Sequence, residues 1–161
     1  MSKKEREDID YIEEVKIRSS VVKDNIEAEL KEGRYVEALL LAHTIMHNFL
    51  IEMLLVSGEG QNLSKNEVKA IYDLQFWKLC VIHHATHRIS DDLFKGLEEF
   101  NMFRNHILHQ YAAVNFETQK TKSRMERFVA QGLALLYSVE NSLNKVRSKR
   151  FYEVDEKLEK G

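Results

Sequence analysis

Apolar residues recur at threes and fours along most of the chain, the spacing of helices that bury one face. The spacing predicts a first helix from Asp8 to Lys31, with Ile9, Ile12, Val15, Val22, Ile26 and Leu30 on one side and Glu32-Gly33 as its stop. A second helix is predicted from Arg34 to Val56. Its stripe Ala38, Leu41, Ala42, Ile45, Phe49 and Met53 is widened by Leu39, Leu40, Met46, Leu50 and Leu54. A helix this apolar is the central one of a bundle or one side of an interface. Ser57 to Asn62 reads as a loop. Ser64-Lys65-Asn66-Glu67 is a capping box that opens a third helix, carried by Val68, Ile71, Leu74, Leu79 and Ile82 to about Arg88. Ser90 before Asp91-Asp92 caps a fourth helix, with acids where the helix dipole favours them. Thr118 caps a fifth, with Met125, Phe128, Val129, Leu133, Leu136, Val139, Leu143 and Val146, after which the sequence becomes strongly charged. The expected fold is an all-α, up-and-down antiparallel bundle of about five helices. It forms a single domain over residues 1–161, with a frayed N-terminus at 1–7 and a charged tail at 148–161.

Composition sharpens this picture. The 161 residues include no proline and six glycines, which favours long uninterrupted helices over a β-rich fold. The length suits one domain with a real core. A net charge of −2 means that nucleic-acid contacts must come from a local basic patch. The single cysteine, Cys80, excludes an internal disulfide and reads as buried and inert. The charged N-terminus lacks the apolar region of a signal peptide. Polar residues such as His43, His47, Asn48 and Glu52 interrupt the apolar runs before they reach the ~20 residues of a membrane span. The expected location is the cytoplasm, with no membrane contact.

The chemistry concentrates in Phe103-Arg104-Asn105-His106-Ile107-Leu108-His109-Gln110-Tyr111, a polar cluster inside an apolar helical run. Burying such groups is costly unless they are paired or used. Arginine offers a planar, permanently charged fork to phosphate oxygens, and histidine moves protons near neutrality. Arg104 and Tyr111 share a helix face, whereas His109 lies about 140° round from Arg104. Arg104 and His109 can still meet at one phosphate across a wide groove, or across a two-fold axis relating two copies. The competing reading pairs Arg104 with Glu98, Glu99 or another acid and leaves the histidines structural.

Arg104-Asn105-x-x-x-His109 on the penultimate long helix of a small all-α chain resembles the signature of HEPN-domain proteins. With Tyr111 it becomes Arg-x4-His-x-Tyr, which resembles the toxin of HEPN/minimal-nucleotidyltransferase pairs. The segment Glu37-Ala38-Leu39-Leu40-Leu41-Ala42 is similar to that family's core helix. The resemblance covers roughly residues 8–147. It implies a metal-independent endoribonuclease, a toxin or defence component, whose active site forms at a homodimer interface. Arg104 would then bind the scissile phosphate, His109 would act as general acid/base, and Asn105 would orient the phosphate or the histidine, with His106 lining the site. In the toxin subgroup the tyrosine is where a partner nucleotidyltransferase attaches a nucleotide, so Tyr111 implies a cognate antitoxin of that type. No cofactor is implied. Other HEPN proteins are non-catalytic modules that bind a nucleotide or a protein partner, and that alternative stands beside the nuclease.

Two further groups carry candidate chemistry. His43 and His47 lie four apart on the second helix, and His83 and His87 four apart on the third. Such pairs can chelate a transition metal. With no cysteine pair or acidic loop to complete a site, the simpler reading is polar groups satisfied within the bundle, or side chains that stack on RNA bases. Lys120, Lys122, Arg124 and Arg127 open the fifth helix, and Lys145, Arg147, Lys149 and Arg150 close it. Charge runs of this kind are commonly solvated faces. If RNA binds, the first cluster is the expected contact, because it follows Arg104 most closely.

Overall fold

The computed structural model describes residues 21–57, 63–110 and 119–159, with side chains through residue 150 except that of residue 110. Outside the described residues lie the start of the first expected helix with its frayed end, most of the loop after Ser57, Tyr111, the Thr118 cap and the last residues of the tail. Among the described residues the chain is all-helical, a bundle without strands: α1 over 21–31, α2 Tyr35–Val56, α3 Lys65–Tyr72, α4 Phe76–Ala85, α5 Asp91–Gln110 and α6 Gln119–Glu159.

Each helix stops and starts for a local reason. Gly33 takes φ +76°, a left-handed conformation that glycine adopts without steric cost, and the Arg34 amide returns to the Glu29 carbonyl at 2.9 Å. The Arg34 guanidinium also pairs with Glu29 and Glu32 across this turn. The expected capping box is present: Ser64 accepts from the Glu67 amide at 3.3 Å, and the Glu67 carboxylate accepts from the Ser64 amide at 2.7 Å. After α4, His87 occupies the left-handed position at φ 55°. The Arg88 amide reaches back to the His83 carbonyl at 2.8 Å, and the His87 amide to that of His84 at 3.0 Å. This pair of bonds is a Schellman cap.

The third expected helix is two helices. A continuous helix would put Ile71 and Phe76 about 140° apart, yet both pack on the core. The chain breaks at Asp73-Leu74-Gln75, and His47 on α2 takes the freed Leu74 carbonyl, Nε2 to O at 2.8 Å. The break adds a reversal and so sets the direction of everything that follows. His43 meets Phe76 (ring centroids 4.5 Å apart) and His83 Nε2 meets the Leu50 carbonyl at 2.7 Å, so α2 and α4 run parallel. The Tyr35 hydroxyl donates to Glu126 at 2.9 Å, and Arg147 Nε donates to Glu52 at 3.0 Å, so α2 and α6 also run parallel. Gly96 faces Leu135 and Phe103 stacks on Phe128, which makes α5 antiparallel to α6.

α2 is the central helix. Nine of its residues are buried, among them Leu39, Met46, Leu50 and Met53. By length and apolar composition it is also the helix, among the described residues, that could cross a membrane, despite the interruptions that argued otherwise in the sequence. α6, 41 residues long, extends about 60 Å. Most of the expected charged tail is therefore helix, continuing to Glu159.

Candidate functional site

α5 delivers the site. Its inner face, Leu97, Phe100, Phe103 and Ile107, is buried in the core. Arg104 follows Phe103 at the edge of that face and is half-buried on the side of α2 that carries His43. Its NH1 donates to the Asn105 side-chain oxygen at 2.9 Å, which fixes the guanidinium plane. Its Nε is buried with no hydrogen-bond partner among the described residues. Burial holds the Arg104 pKa below its ordinary value, and among the described residues no carboxylate pulls it back up. The competing pairing with Glu98 or Glu99 is not formed; both carboxylates lie on the exposed face of α5. A cation desolvated without a counter-charge favours an anion in its place.

Across from Arg104, His43 and His47 lie one turn apart, ring centroids 6.2 Å from each other, and both pack on Phe76. His47 is spent on the Leu74 carbonyl. His43 Nε2 is buried without a partner among the described residues. Burial, reinforced by the positive charges of Arg104 and His47, pushes the His43 pKa down to about 4. The imidazole is therefore neutral at pH 7. Because its folded pKa lies below the unfolded value, the unfolded chain binds the extra proton. The stability this contributes is complete above about pH 6.5 and is lost as pH falls toward 4. Discounted for residual solvent contact, the loss attributable to His43 between pH 7 and pH 5 is about 1 kcal/mol. Urea unfolding of the native chain and of His43→Gln measures it: the stability gap between them should narrow by that amount at pH 5. A gap equal at both values would mean that His43 is not held neutral.

The remaining site residues fall elsewhere. His106 and His109 are exposed, and because α5 stays regular through Gln110, His109 lies about 140° round the helix from Arg104. Tyr111 lies outside the described residues. Lys120, Lys122, Arg124 and Arg127 are exposed, with Arg124 5.5 Å from the centre of the Phe103 ring and Arg127 5.9 Å from that of Phe128. The basic cluster thus flanks the segment that carries Arg104. Among the described residues no three His, Cys, Asp or Glu side chains gather as a metal would require. His43 and His47 lie beside Phe76, His83 is committed to the Leu50 carbonyl and His87 sits in the α4–α5 turn. Cys80 is buried, and burial pushes its thiol up to about 12.

His43 is the group that sequence reasoning placed elsewhere, among the metal candidates. The available signal was a histidine at the inner edge of the most apolar helix, where an imidazole has no reason to be unless something polar faces it. No protein-family model, curated protein or solved structure matches the chain.

Proposed function

We propose that this chain is a HEPN-type, cytoplasmic RNA-binding protein that cleaves RNA without a metal ion, with Arg104 as its phosphate-binding residue. The observation that carries the reading is the half-buried Arg104 guanidinium, oriented by Asn105 and lacking any carboxylate partner among the described residues. Such a group suits the phosphorane-like charge that develops when a ribose 2′-hydroxyl attacks its neighbouring phosphorus. The attack needs a base for the 2′-proton and an acid for the departing 5′-oxygen, and it leaves a cyclic phosphate and a 5′-hydroxyl. His109 suits the proton transfer, being exposed and free to approach the Arg104 of a second copy. A homodimer is therefore part of the proposal, as is a cognate nucleotidyltransferase acting on Tyr111. The exposed Lys120, Lys122, Arg124 and Arg127 would guide the RNA backbone toward the site.

One observation favours a second reading. Among the described residues the imidazole electrostatically coupled to Arg104 is His43, which is held neutral, whereas His109 lies about 140° round α5 from it. The same groove would then bind a nucleotide or a protein partner without reacting. Incubating a cellular RNA pool in EDTA with the native chain and with His109→Ala separates the two. Cleavage that yields 5′-hydroxyl ends, scales with dimer concentration and disappears in the folded variant supports the nuclease. No cleavage by the native chain, with nucleotide binding that depends on Arg104, replaces it with the binding module.

A further inference from the structure

A second cationic site lies at the other end of the bundle. α2 ends at Val56 beside the α4–α5 turn, and one face of α6 closes the space between them, leaving an open cleft of about 630 Å³. Arg88 enters from the turn, and Lys145, Lys149 and Arg150 from α6, spaced to share one side of that helix. Val56 and Val146 give the cleft an apolar wall, and among the described residues no acidic side chain lines it. It lies about 20 Å along α2 from His43 and the Arg104 site.

The simplest account of these cations is that they neutralise the carbonyl ends of α2 and α4, which both terminate here. Arg150 does reach the Val56 carbonyl, NH1 to O at 3.4 Å. The magnitudes exceed that role. Two helix C-termini amount to about one negative charge, whereas α6 alone supplies three full positive charges. Glu52, on the adjoining turn of α2, is held by Arg147 and so does not balance them. Lys145 and Lys149 remain exposed, without a carboxylate partner among the described residues. The Schellman cap after α4 fixes the backbone of Arg88 at the cleft mouth. A concave cleft of this size, walled by valines and edged by cations from two elements, fits a compact ligand better than an extended strand.

From this geometry we infer that the cleft binds a small molecule carrying a di- or triphosphate group. The phosphates engage Lys145, Lys149 and Arg150, and an organic body rests on Val56 and Val146. This is independent of the reaction proposed at Arg104. Isothermal titration with inorganic triphosphate, ATP, AMP and adenosine tests it on the full chain. Triphosphate and ATP should bind one per chain, AMP about ten-fold or more weakly, and adenosine not measurably. Lys145→Glu with Lys149→Glu, both exposed positions, should weaken triphosphate about a hundred-fold, while Arg104→Ala should leave its affinity unchanged. Amide shifts of the native chain on adding triphosphate should concentrate at residues 86–88 and 142–150, which reads the site without any variant. The inference is overturned if triphosphate and ATP do not bind, if the charge reversals leave binding intact, or if the shifts centre on Arg104. Binding of a single-stranded RNA oligomer across the cleft, with triphosphate failing to bind, would overturn it in favour of a backbone track.

Discussion

Arg104→Ala is expected to lower RNA cleavage by about 10³-fold or more without unfolding the chain. The magnitude follows from what the guanidinium does. In the proposed reaction it would be the charge placed where negative charge develops, and its surroundings are partly dry, so its field is less screened than at the surface. The stability readout makes the prediction specific. Burial lowers the Arg104 pKa and its Nε has no partner, so the fold holds this cation at a cost. Removing it should leave the urea midpoint unchanged or slightly raised. An arginine kept for structure would behave the other way, with stability falling and activity following only as folded protein is lost. Arg104→Lys should recover part of the activity at most, because an ammonium lacks the planar fork that Asn105 orients. Activity in Arg104→Ala within ten-fold of native would remove this residue from the chemistry.

The positions of helices were legible in the sequence wherever local chemistry decides them. The Ser64–Glu67 capping box, the Gly33 stop and the Asp91-Asp92 start are all settled within four or five residues, and all are present. The break at Leu74 was not legible, because neither glycine nor proline marks it. It depends on Phe76 entering the core and on His47, twenty-seven residues away, taking the Leu74 carbonyl. The site divides in the same way. Arg104 and Asn105 were readable as neighbours on one helix, and their hydrogen bond is local. The electrostatic influence of Arg104 on His43 runs from α5 to α2, and no spacing within either helix encodes it. The cleft at the far end was hidden for the same reason, since its cations come from α6 and from a turn more than fifty residues earlier.

Gly132→Ala is expected to destabilise the native chain by about 1 kcal/mol or more and to stabilise the Phe100→Ala variant by a similar amount. A Cβ added at Gly132 would sit 2.6 Å from Phe100 Cε2 and 3.3 Å from Cζ. Phe100 is fully buried, so its ring cannot yield without displacing the core between α5 and α6. Against that clash stands only the gain of about 1 kcal/mol from replacing a helical glycine with alanine. Truncating Phe100 alone should cost about 3–5 kcal/mol, through lost burial and the cavity left behind. In that cavity the new methyl meets nothing, and the helix preference of alanine acts unopposed. The double-mutant cycle should therefore show a coupling of about 2 kcal/mol. Gly96 serves as the control: its added Cβ would meet only the end of the Leu135 side chain, at 2.6 Å, which can rotate away. Gly96→Ala should accordingly be neutral or stabilising. If Gly132→Ala stabilised both backgrounds, the α5–α6 seam would be looser than a 0% exposed Phe100 implies, and the rigid placement of Arg104, four residues further along α5, would lose its support.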